Sequence, residues 1–179
     1  MNLLLCSLLF SAPLNLTAPA PAQKENLILD AVAIVLAYPV WSAIHEESHI
    51  LVADQVIGVN SVRRELYPQI SDNRLYWAKY HFNYDRKPTI HEIGLLSIAP
   101  RGPDLFAAVV APMLWSLGYH ALALLAYGGV VDLIVGSIGT NYNSDLQRAS
   151  RGLGIKVWKL RLVGLGSAGL SILGGILGS

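Results

Sequence analysis

From Leu27 to Val59 the chain is largely apolar, yet His45-Glu46-Glu47-Ser48-His49 stands in the second half of that stretch. Ionisable side chains are expensive in an apolar segment and persist where they line a cavity or bind something. The spacing narrows the choice. Helical residues four apart share a face, so His45 and His49 can turn ring nitrogens toward one metal ion with Glu46 beside it, the H-E-x-x-H arrangement. Few helix breakers interrupt the stretch. About thirty helical residues at 1.5 Å each reach roughly 45 Å, enough to cross a bilayer. Pro39 removes a backbone hydrogen bond less than two turns before His45 and is expected to bend or loosen the helix there, as a packing kink or a functional one.

The rest of the composition supports a membrane setting. A chain of 179 residues suits one domain, and 53% apolar with only 14% charged residues and a mean hydropathy of +0.45 is too apolar for an ordinary soluble protein. The net charge of +1 comes without a dense basic run, which argues against a nucleic-acid partner. The single cysteine, Cys6, excludes an internal disulfide and a cysteine-built zinc site. His, Asp and Glu remain as ligands, and zinc suits them best. Residues 1–22 pair a short apolar block with Ala20-Pro21-Ala22, a small-x-small site, and read as a signal peptide or short anchor. Residues 23–179 then form one membrane-embedded domain.

The expected fold is mainly α: a polytopic membrane helix bundle of three core spans plus a possible C-terminal span, with a small β-containing loop. Residues 60–103 are more polar and read as an extramembrane loop. Within it Leu75–Tyr84 alternates aromatic and polar residues like a strand, and Thr89–Ala99 is a second candidate strand able to pair with it. The aromatics equally suit an interfacial belt. Leu105–Tyr127 reads as the second span, Gly128-Gly129 as a tight turn, and Val130–Ile138 as a short third span holding Asp132. Leu162–Leu177 is a last apolar segment that spans or lies flat, with Gly164 and Ala168, and Gly174 and Gly178, spaced for close helix packing. Both the 60–103 loop and the segment after Asp145 are basic. With two spans between them they share a side, which the positive-inside rule makes cytoplasmic, and the pentad comes out nearer that face.

Two histidines do not complete a catalytic zinc site; a third protein ligand is required, leaving a fourth position for water. The extension found in soluble enzymes, H-E-x-x-H-x-x-G-x-x-H, fails because Val52 and Gln55 stand at its glycine and third histidine. Glu65, Glu92, His120, Asp132 and Asp145 remain. Asp145 follows a broken apolar segment and Asn141 and Asn143, and it opens an expected helix from Asp145 to Arg151. A ligand and a plain helix cap are both open readings of it.

In this order of parts the chain resembles the site-2 protease family of membrane-embedded zinc metalloproteases. The resemblance runs from about Leu27 to Arg151. It implies that His45, His49 and Asp145 hold Zn2+, that Glu46 is the catalytic base, and that Asn141 or Asn143 hydrogen-bonds the substrate carbonyl. Asn143-Ser144-Asp145-Leu146 stands where members carry Asn-x-x-Pro and Leu-Asp-Gly. The expected activity is zinc-dependent cleavage of a membrane protein or peptide within or beside the lipid bilayer. The rival readings are a noncatalytic membrane protein binding a metal or partner, and a soluble-type zincin with a hydrophobic core.

Overall fold

The computed structural model describes residues 26–71, 74–76, 78–140, 142 and 144–178, so the expected signal peptide at 1–22 and both Asn141 and Asn143 lie outside the described residues. Helix α1 (Leu27–Val56) starts where the Asn26 side chain accepts a hydrogen bond from the Leu29 N–H at 3.3 Å, and it runs through Pro39 without ending. Strands β1 (Val59–Glu65) and β4 (Lys79–Tyr84) pair antiparallel, with β2 (Gln69–Ser71) and β3 (Arg74–Tyr76) forming a separate short hairpin between them. The expected β-containing loop is therefore present, its first strand divided into β3 and β4.

Thr89–Ala99, expected as a strand, is instead helix α2 (Ile90–Ile98). Its start is a capping box: the Thr89 hydroxyl accepts from the Glu92 N–H and the Glu92 carboxylate accepts from the Thr89 N–H at 2.8 Å. That reciprocal pairing fixes a helix N-terminus and outweighs the strand-like composition. Arg86 donates to both Glu92 carboxylate oxygens, at 2.9 and 2.5 Å.

Helix α3 (Arg101–Ser116) follows after Pro100, in a position where proline starts a helix without loss. The span expected from Leu105 to Tyr127 is divided. Gly118 at φ +81° ends α3, with the Tyr119 N–H reaching back to the Leu114 carbonyl at 2.9 Å, the left-handed closure that glycine adopts at low cost. Helix α4 (His120–Ile138) then contains Gly128 and Gly129, so the expected turn there is also corrected. These glycines are packing notches. A Cβ on Gly129 would lie 2.7 Å from the Ala107 Cβ and 3.0 Å from the Trp41 ring, and the Trp41 indole N–H donates to the Leu125 carbonyl over the same surface.

Helix α5 (Asp145–Leu153) and helix α6 (Val157–Leu177) complete the chain. α4 is central, packed by α1, α3 and α6, while α5 lies on α2. The core among these helices is built from small and branched residues: Ala108, Val130, Leu133 and Ala168. Gly164 meets Ser137, Gly174 meets Pro112 and Gly175 meets Tyr127, so the small residues of α6 do let it approach α3 and α4 closely.

Among the described residues, four helical stretches are long and apolar enough to cross a membrane: Leu27–Val56, Ile90–Ser116, His120–Ile138 and Val157–Leu177. Their large apolar side chains point outward, Ile28, Val35, Phe106, Val109, Leu170 and Leu173 among them. A soluble domain does not display such continuous apolar surface, whereas a bilayer supplies its natural solvent. The chain is therefore a multi-pass membrane helix bundle, and the fourth stretch makes the C-terminal segment long enough to span. The β1–β4 sheet rests on the end of α1, joined by Ile50, Ala78 and Tyr80 and by a two-pronged pair from Arg64 to Glu47 at 2.5 and 3.2 Å.

Candidate metal centre

Helix geometry in α1 carries His45 and His49 onto one face one turn apart, with ring centroids 5.1 Å apart and planes at 72°. Each imidazole is oriented through its Nδ1. His45 Nδ1 sits 2.8 Å from an Asp132 carboxylate oxygen on α4, and His49 Nδ1 sits 2.8 Å from the Leu96 carbonyl on α2. An acceptor on Nδ1 favours the tautomer with its proton there, leaving Nε2 bare as a ligand. The Leu96 carbonyl is free for this because it lies in the last turn of α2, where carbonyls lack helical partners, although the Ala99 N–H shares it at 3.2 Å.

Both Nε2 atoms face the same Asp145 oxygen, His45 at 3.1 Å and His49 at 3.5 Å. Asp145 is the first residue of α5, and the capping position expected of it belongs to Ser144. The carboxylate is turned to the histidines instead. Burial opposes its charge, but when the imidazoles are protonated, hydrogen bonds from His45 and His49 outweigh that and hold the carboxyl well below the usual carboxylate range. Before it, Tyr142 is held by Arg151, whose Nη1 donates to the Tyr142 carbonyl at 3.0 Å and whose guanidinium lies 3.9 Å from the Tyr142 ring centre.

His45, His49 and Asp145 each offer one donor atom, and the three atoms lie within 4.8 Å of one another, a group that can hold a metal ion. A tetrahedral ion with bonds of about 2.0–2.1 Å places its donors roughly 3.3 Å apart. The two histidine–aspartate separations bracket that value. Charge agrees as well. The Asp132 and Asp145 carboxylates both border His45, and a cation held there would offset the negative charge they bring together. The side chains are 14–25% exposed, so the site is shielded and still reachable.

Glu46 is half-buried next to His45, within the electrostatic reach of both histidines, and outside the three-residue donor group. Glu47 points away to Arg64. The other third-ligand candidates are accounted for elsewhere: Glu65 pairs with Arg63 at 2.7 Å, Glu92 caps α2, and His120 stacks on Trp115 with centroids 4.6 Å apart. Asp132 is brought to the site behind His45, as the orienting partner. Arg101 and Asp104 were missed by the sequence reading, which placed them at the edge of a polar loop. Their i, i+3 spacing at the head of an apolar helix was the available signal.

No family model, no curated protein and no solved structure matches this chain, so the reading of the site rests on its own residues.

Proposed function

We propose that this protein is an intramembrane zinc-dependent endopeptidase of the site-2 protease type. The observation that carries the reading is the convergence of His45 Nε2, His49 Nε2 and the Asp145 carboxylate, with each imidazole pinned through Nδ1. Two imidazoles and a carboxylate make a zinc set with a position left for water. The substrate class is a membrane protein or peptide, because the site is enclosed by helices with apolar outer faces.

Zinc, when bound, supplies Lewis-acid polarisation of the scissile carbonyl and a water acidified to a pKa of roughly 7. With zinc held by His45, His49 and Asp145, Glu46 would accept a proton on its carboxylate as the water oxygen adds to the scissile carbonyl carbon, and would pass it to the amide nitrogen as the C–N bond breaks. Asp132 and the Leu96 carbonyl keep both rings in register. Apolar surroundings strengthen each of these electrostatic effects. In the resembling family an asparagine shortly before the aspartate holds the substrate carbonyl, a role that falls here to Asn141 or Asn143. A peptide must be extended to be cut. Neither free edge of the β1–β4 sheet has a strand partner among the described residues, so an extended segment can add there by backbone pairing.

The orientation follows from charge. α3 and α4 form a hairpin, returning the chain to the side it left, and Arg63, Arg64, Arg86 and Lys87 before it match Arg148, Arg151, Lys156 and Lys159 after it. Positive-inside places that side, and the zinc site near it, toward the cytoplasm. The contacts of His45 with Asp132 and Asp145 also suit a protonated imidazole in a noncatalytic protein. Zinc dependence separates the readings. The full chain reconstituted in liposomes with single-span peptides is expected to cleave them, to stop on complete zinc chelation, and to recover when zinc is restored; cleavage that persists without zinc contradicts the proposal.

A further inference from the structure

Arg101 and Asp104 are 7% and 1% exposed at the head of α3, a cation and an anion buried in an otherwise apolar bundle. Arg101 Nη1 donates to an Asp104 carboxylate oxygen at 2.8 Å and to the Asp132 backbone carbonyl at 3.1 Å, and it lies 3.6 Å from Asp132 Oδ2. That Oδ2 is the same atom that meets His45 Nδ1. An ion pair serving α3 alone would be complete with Asp104. Here the guanidinium also reaches across to both the backbone and the side chain of Asp132 on α4.

The sequence of α4 leaves room for it. Gly136, one turn beyond Asp132, faces the guanidinium so closely that a Cβ there would lie 2.5 Å from Arg101 Cζ and 2.6 Å from Nη1. Any other residue would push the cation out. The geometry points to Arg101 as a positioning residue of the metal centre: held by Asp104 and seated in the notch at Gly136, it fixes the Asp132 carboxylate that orients His45. This rests on the zinc reading proposed above. Outer partners of metal-bound histidines typically change metal affinity by about 10–100-fold when lost, and Arg101 acts one contact further out, through Asp132.

The test measures zinc affinity by chelator competition, and the visible spectrum of the cobalt-loaded site, on the full chain in lipid nanodiscs. Arg101→Met is expected to weaken zinc binding by about tenfold or more and to shift the cobalt bands, with Asp132→Asn adding less than about threefold in that background because both act along one path. Gly136→Ala is the gentler variant. Alanine suits a helix better than glycine, and the three atoms nearest its Cβ all belong to the guanidinium, so a merely structural role for Arg101 predicts unchanged affinity and spectrum. The inference expects both to move as in Arg101→Met, and it carries the test if that variant does not fold. Wild-type affinity and spectrum in Gly136→Ala, or full additivity of Arg101→Met with Asp132→Asn, overturns the inference while leaving the zinc site standing. A wild-type chain that binds neither zinc nor cobalt overturns the zinc reading itself, and this inference with it.

Discussion

Glu46→Gln is expected to reduce peptide cleavage by about 10²–10⁴-fold, roughly 3–5 kcal/mol of barrier, while leaving zinc bound. Glutamine keeps the size and the helix propensity of the original residue, so α1 and its two histidines stay in place. It cannot accept a proton at neutral pH. The donor atoms come from His45, His49 and Asp145, and none is removed by this change. The decisive data are single-turnover cleavage rates alongside zinc content on the same preparation. Loss of cleavage with zinc retained assigns Glu46 to the proton transfer. Undiminished cleavage removes Glu46 from that role.

Gly152→Val is expected to act at a distance, on the candidate ligand Asp145 seven residues away. α5 lies on α2 through contacting backbones: a Cβ on Gly152 would lie 2.5 Å from the Gly94 Cα, and one on Gly94 would lie 2.8 Å from the Gly152 Cα. No side chain is available there to move aside. Valine must therefore lift α5, at a cost of about 1–3 kcal/mol from overpacking. Because α5 is a short rigid helix with Asp145 at its other end, the carboxylate leaves the histidines, and zinc affinity is expected to fall at least about tenfold. Gly169→Ala on α6 is the control, since nothing lies within 4 Å of a Cβ placed there. Equal zinc affinity in Gly152→Val and Gly169→Ala would show that α5 docking does not set the position of Asp145.

The pentad was legible because its information is local. A four-residue spacing and a helical period are enough to put His45 and His49 together, and the long apolar run fixes the setting. Asp145 was legible by its place after a broken apolar segment, although its partners lie a hundred residues away and no spacing rule reaches that far. The errors came from signals with different meanings in water and in a bundle. Gly128-Gly129 resembles a turn, yet in α4 it is the surface against which Trp41 and Ala107 close. The real break, at Gly118, is a single glycine in an otherwise unremarkable stretch, and only its positive φ reveals it. Thr89 and Glu92 spelled out a capping box that the aromatic alternation of the preceding strand obscured. Asp132 was legible only as one candidate ligand among five, and the i, i+3 spacing of Arg101 and Asp104 says nothing of a partner on another helix. Their roles arise from packing α3, α4 and α1 together, which periodicity cannot supply.

The direct test of a zinc site built from α1 and α5 is the metal content and affinity of the purified full chain beside that of Asp145→Ala. The wild-type chain is expected to hold zinc tightly, one ion at the group of His45, His49 and Asp145. Asp145→Ala removes a donor outright, so its affinity is expected to fall by more than the 10–100-fold typical of losing an outer partner. Wild-type zinc binding in Asp145→Ala would contradict the assignment of the third ligand, and a wild-type chain without affinity for zinc would contradict the metal centre as a whole.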